Sequence, residues 1–111
     1  MSQKFDIILV DLNPIRWSEQ SGIRPCVIIQ NDSANKVAKT FVIAIIFSVI
    51  KKYPHTLIVE ASLQNGLKEI SRIDLLQVRT IDELRMIKKL WVLDEKYHSE
   101  LNEKIKIAFD V

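Results

Sequence analysis

Arg24 is the residue of this chain best suited to phosphate chemistry. It sits near the middle of a polar-rich stretch, Asp11 to Asp32, that reads DLNPIRWSEQSGIRPCVIIQND. A guanidinium is planar, permanently charged and forked, which matches the oxygens of a phosphate. Pro25 follows and restricts Arg24 to extended backbone, so the side chain is aimed. Two roles fit it: contact with a phosphate, or a structural salt bridge to Glu19. Glu19 itself can orient Arg24, accept a proton from a ribose 2′-hydroxyl, or bond only within the loop. Arg16 adds a further group able to touch a ligand, and Ser18 and Gln20 offer neutral donors and acceptors for unstacked bases, the usual targets of sequence-reading RNA binders. Trp17 can stack on a base, anchor a second copy, or fold back onto the domain.

Further along, Ser48 is the only hydroxyl in the apolar run Phe41 to Ile50. It either satisfies a backbone group or faces a cleft. His55 follows Lys51, Lys52 and Tyr53, a setting that fits the rim of an RNA groove. Gln77, Arg79, Thr80 and Asp82 lie in QVRTID, where Arg79 and Asp82 can pair across a turn. His55 and His98 lack the spacing of zinc ligands, and His98 reads as a surface helix residue. Cys26 is the only cysteine, so no internal disulfide or cysteine zinc site exists; its apolar neighbours imply a buried, inert thiol.

These residues need a scaffold. At 111 residues, with 48% hydrophobic and 27% charged residues, the chain is one globular domain. A chain so short buries only about two-thirds of its unfolded surface, so dimerisation would help it. A net charge of +2 neither requires nor excludes a nucleic-acid partner, because a binding face depends on how charge is concentrated. Charged residues interrupt the N-terminus and the longest apolar run is too short to cross a bilayer, so the expected location is the cytoplasm.

Strands are expected at Phe5 to Leu12, Pro25 to Gln30, Thr40 to Ile50, Thr56 to Ser62, Glu69 to Val78 and Ile87 to Leu93. The first is apolar on both faces. The connection between the first two is long, and long loops in compact domains tend to carry function. Asn31 to Ser33 offers a cap for a short helix over Ala34 to Ala38, Asn65-Gly66 marks a turn, and Thr80 to Glu83 can begin a helical turn. Asp94 is placed to cap a final helix whose Tyr97, Leu101, Ile105 and Phe109 form one apolar stripe. The expected architecture is mainly β with helices: a small barrel or strongly bent, mostly antiparallel sheet with a C-terminal helix.

DLNP, SEQSGIRPCVIIQND and QVRTID, in this order along nearly the whole chain, resemble the MazF/PemK (Kid) family of toxin endoribonucleases. The resemblance implies an SH3-like barrel, a homodimer and a small cognate antitoxin protein as partner. It implies cleavage of single-stranded RNA by its own 2′-oxygen, leaving a 2′,3′-cyclic phosphate and a 5′-hydroxyl with no metal or cofactor. Arg24 matches the family's catalytic arginine. Ser48 is the nearest hydroxyl to its catalytic threonine, whose own place is held by Phe47. Gln77 matches a glutamine near the RNA, with Leu76 where some members carry an acid, and Ile45 stands where the family has proline. Arg16, Ser18, Glu19, Gln20 and His55 complete the expected RNA contacts. Phe47 keeps a rival open: a weakened or inactive member that acts by binding an antitoxin or DNA gyrase.

Overall fold

The strand β3 (Thr40–Phe47) divides the molecule into two cores. Phe41, Ile43, Ile45 and Phe47 enter one of them, while Ala44 and Ile46 enter the other. Successive side chains of a strand point to opposite faces, so a run apolar at every position must be covered on both sides. The same division splits β1 (Asp6–Asp11), which sends Ile7 to one core and Ile8 and Val10 to the other. It splits β2 (Ile23–Ile28) too, with Val27 on one side and Cys26 and Ile28 on the other.

The computed structural model describes residues 2–13 and 22–111. A short helix, α1 (Asp32–Asn35), follows β2, and the Asn31 side chain accepts from the Ala34 N–H at 3.1 Å, the cap expected from the sequence. Then come β3, β4 (Thr56–Val59), β5 (Ser71–Asp82), β6 (Met86–Val92) and a C-terminal helix, α2 (His98–Phe109). All pairings are antiparallel, in the order β4-β5-β3-β2-β1-β6. The expected barrel is thus an open, bent sheet of six strands with a helix on one face. Its edges approach through the β4–β5 connection, where the Val92 N–H donates to the Gln64 carbonyl at 3.2 Å.

Several boundaries differ from expectation, each for a local reason. β5 runs on through Asp82, and the turn expected at Thr80 falls at Glu83–Arg85 as a single 3-10 turn. The pairing of β5 with β3 carries it there, but not smoothly. Ala44 faces Val78 whereas Ile45 faces Asp74, which leaves Leu75, Leu76 and Gln77 as a bulge. Asp94 does not cap α2. A 3-10 turn, Glu95–Tyr97, comes first, and the carboxylate instead accepts from Ser62 Oγ and Asn65 Nδ2, both at 2.7 Å. Tyr97, Leu101 and Ile105 pack on the helix-side core as expected, but Ala108 joins them and Phe109 stays exposed. His98 is half-buried, stacked on Phe5 at 3.7 Å with Nε2 2.8 Å from the Leu93 carbonyl, and is not a free surface residue.

The turn at Asn65-Gly66 is tightly specified. Asn65 is fully buried, and its side chain binds the Ser62 and Leu67 N–H groups and the Glu60 carbonyl. Gly66 has φ +69°, and a Cβ there would lie 1.2 Å from Trp91 Cδ1. Gly66→Ala should therefore cost about 1–3 kcal/mol, from the strained backbone and the displaced indole, measured by urea unfolding.

Asp94 supplies a pH test. Burial raises its pKa, but the bonds from Ser62 and Asn65 outweigh that and hold the carboxyl below its ordinary value. A depressed folded-state pKa contributes stability above the unfolded-state value and loses it as pH falls through the folded one. The melting-temperature gap between wild type and Asp94→Asn should be widest near neutral pH and narrow on acidification through the carboxylate range. An equal gap at all pH values would show that the charge contributes nothing.

Candidate active site

Arg24 lies at the start of β2, half-buried, beside β1 residue Val10. Ser48 follows the last residue of β3 and is exposed. Antiparallel pairing brings the start of β2 next to the end of β3, so residues distant in sequence meet. Both border one cavity of about 440 Å³, together with Phe47, Lys68, Glu69, Ser71 and Lys88. The cross-strand neighbours Leu9 and Pro25, with Ile46, Leu67 and Leu90, supply its apolar lining. The rim thus carries Arg24, Lys68 and Lys88 as cations against Glu69. Two hydroxyls, Ser48 and Ser71, lie among them. Such a lining favours an anionic ligand with apolar parts, and a nucleotide chain is one.

Phe47 forms the link between this cavity and a buried charge. The Arg24 guanidinium carbon is 5.8 Å from the centre of its ring, and that of Arg72 is 4.3 Å away. Arg72 is almost completely buried. Its Nε lies 3.3 Å from Asp74 Oδ2, and its Nη1 donates to the Val49 carbonyl at 2.8 Å. Arg72 and Asp74 alternate along β5 with Ile73 and Leu75, and both charged residues are buried, paired with each other.

The remaining expected site residues are more scattered. His55 precedes β4, half-buried, with Nε2 3.7 Å from Asp74 Oδ1 and its ring stacked on exposed Tyr53 at 5.3 Å. Gln77 sits in the β5 bulge, half-buried, and is not among the residues bordering the cavity. Arg79 and Asp82 do not form the expected turn pair. Three residues apart on a continuous strand they face opposite ways, and Asp82 accepts from the Leu84 N–H at 2.9 Å. Arg79 and Asp82 border a second, smaller cavity with Asp11, Asn13 and Arg85. Arg16, Trp17, Ser18, Glu19 and Gln20 lie outside the described residues. Among the described residues, no three His, Cys, Asp or Glu side chains come together in a metal-binding group, and no helix is long and apolar enough to cross a membrane.

The sequence reading missed Lys68, Lys88 and Arg72. The lysines carry no local motif. They join the site only through the β4–β5 connection and the β1–β6 pairing. For Arg72 a signal existed, in two charges alternating with apolar residues next to a strand apolar on both faces.

A family model described as the PemK-like, MazF-like toxin of type II toxin-antitoxin systems matches residues 3–109. A Staphylococcus saprophyticus protein named Endoribonuclease MazF is 42% identical over 97% of this chain and 91% of its own length. A Staphylococcus epidermidis protein of the same name is 38% identical over the same shares. Among solved structures, a mycobacterial endoribonuclease in complex with its cognate antitoxin superposes with a TM-score of 0.84 at 13% identity. It covers 100% of this chain and 97% of that one. The Mycobacterium tuberculosis toxin MazF-mt6 gives 0.80 at 21% identity, covering 96% and 97%. At these identities the two structures speak for the fold alone.

Cys26 lies beneath this site, fully buried, as its neighbours in sequence implied. Burial pushes its thiol up to about 12, against the lowering pull of Arg24 and Arg79. The thiolate is the reactive form, so almost none is present at pH 8. The folded protein should react with a disulfide reagent at pH 8 only on the timescale of unfolding. A free-cysteine rate in native buffer would show that the strand opens locally.

Proposed function

The chain belongs to the PemK-like, MazF-like toxin family of type II toxin-antitoxin systems, and on that premise we propose that it is the toxin of such a pair. It is an endoribonuclease that cuts single-stranded RNA, mRNA included, with sequence preference and without a metal ion. The observation that carries this reading is the cavity where Arg24 and Ser48 meet between Lys68 and Lys88.

The reaction needs no enzyme nucleophile. The ribose 2′-hydroxyl loses its proton to solvent as its oxygen attacks the adjacent phosphorus, the bond from phosphorus to the 5′-oxygen breaks, that oxygen takes a proton from solvent, and a 2′,3′-cyclic phosphate and a 5′-hydroxyl result. The difficulty is negative charge on the phosphorane-like transition state, which fixed donors stabilise best. Arg24 supplies a permanent positive charge there and donates toward the leaving oxygen. A guanidinium is not deprotonated in proteins, so Arg24 is not the base. Ser48 adds a hydrogen bond, in the role that the family gives to threonine. Lys68 and Lys88 hold flanking phosphates, an attraction that weakens with salt. Arg16, Ser18, Glu19, Gln20, His55 and Gln77 contact the bases and sugars.

A cognate antitoxin covers this groove, in keeping with the antitoxin complex of the mycobacterial neighbour. The working form is a homodimer in the cytoplasm, where mRNA is found. Phe47, buried at the place of the family's threonine, favours a second reading: a weakened member that acts by binding its antitoxin or DNA gyrase.

Incubation of the purified protein with a long mixed-sequence RNA in EDTA separates the two. The nuclease gives defined fragments ending in cyclic phosphates. Arg24→Ala and Ser48→Ala should each lower the rate by roughly two to three orders of magnitude. Intact RNA with the wild-type protein, alongside tight antitoxin binding, would leave the second reading. Undiminished cleavage by Arg24→Ala would remove the arginine from the mechanism.

A further inference from the structure

Arg24, Phe47 and Arg72 form one row across three neighbouring strands. Phe47 of β3 pairs with Arg72 of β5. Extending the β2–β3 register two residues beyond Cys26↔Ile45 sets Arg24 opposite Phe47. Residues directly opposite on paired strands share a face of the sheet, so the ring stands between the two guanidinium groups. The two cations are held differently. Arg72 is fixed by Asp74 and by the Val49 carbonyl, and Asp74 is braced in turn by the Leu76 N–H at 3.0 Å. Arg24 is half-buried and borders the cavity. The ring is 5% exposed, and little water competes for its face.

We propose that Phe47 is a positioning residue for the reaction: its ring holds the Arg24 guanidinium by cation–π attraction, while Arg72 fixes the ring from the next strand. The inference rests on Arg24 acting at the scissile phosphate, as proposed above. The choice of an aromatic ring has a chemical reason. The electron-rich face of a ring attracts a cation without carrying a formal charge. A carboxylate in that place would hold the guanidinium equally well and cancel the charge that the phosphate needs. The ring thus adds a restraint on the orientation of Arg24 without adding an opposing charge. The benefit falls on the chemical step, because poor orientation weakens transition-state contacts more than it weakens the binding of a long anion by surrounding lysines.

The test compares Phe47→Tyr, which keeps the ring face, with Phe47→Leu, which keeps apolar bulk and removes it. Phe47→Met replaces the leucine variant if that one fails to fold. Phe47→Leu should lower kcat about tenfold with KM little changed, whereas Phe47→Tyr stays near wild type. The second readout needs no cleavage. In wild type and Phe47→Tyr, the Arg24 Nε–H proton resonance should carry a ring-current shift that disappears in Phe47→Leu. Equal losses of kcat in the tyrosine and leucine variants would overturn the proposal, and so would an Arg24 resonance unmoved by Phe47→Leu. If Arg24→Ala cleaves RNA normally, the functional reading fails while the resonance still reports whether Phe47 holds Arg24.

Discussion

Arg72 is a permanently charged group withdrawn almost entirely from water. An unpaired ion in that setting costs several kcal/mol, so its surroundings must be polar at specified points and apolar elsewhere. Asp74 supplies the opposite charge, the Val49 carbonyl accepts a hydrogen bond from the guanidinium, and the Phe47 ring lies over it. These partners come from the end of β3, the residues just after it and β5 itself. Satisfying one charge therefore pins the end of β3 against β5 at the corner where the cavity opens. The same end of β3 carries Ser48 and lies beside Arg24.

The two cores explain how that corner stays rigid. α2 covers one face of the sheet through Tyr97, Leu101 and Ile105. The opposite face is filled by β1, β2, β3 and the far end of β5, with Met86 against them. A strand packed on both faces has little freedom to tilt, which suits the phosphate chemistry proposed for Arg24 and Ser48. The exposed residues of the site, Ser48 among them, stand just beyond the packed portion. The residues bordering the cavity are thus mounted on, or just beyond, strands packed on both faces.

Much of this was legible in the sequence because it depends on local pattern. The apolar run Ile7 to Val10 implies a strand covered on both faces, and the β-branched and aromatic run from Thr40 implies a strand, which ends at Phe47. Asn31 caps α1, Asn65-Gly66 turns, and Tyr97, Leu101 and Ile105 face the core, as side-chain chemistry and helical spacing require. What was not legible depends on partners distant in the chain. Asp94 serves as an acceptor for Ser62 and Asn65 and not as a helix cap, a choice fixed by how the β4–β5 connection folds back. Arg72 pairs with nearby Asp74, but its burial also depends on the Val49 carbonyl and the Phe47 ring, both distant in the chain. Phe47 marked a departure from the family pattern, but only three-dimensional proximity shows two arginines at its ring.

The bulge at Leu75–Gln77 has a consequence for how β5 is read. Before it, odd-numbered Ile73 faces the helix-side core, joined by Leu75 at the start of the bulge; after it, even-numbered Val78 faces that core and odd-numbered Ile81 the other one. The strand therefore carries two phases of inside and outside joined at a splice. Loss of a single residue there would slide the downstream half by one step, turning Thr80 and Asp82 inward and Ile81 out to solvent. The length of that splice is thus a parity constraint on the chain: Leu76 and Gln77 count toward the fold even where their side chains touch neither core.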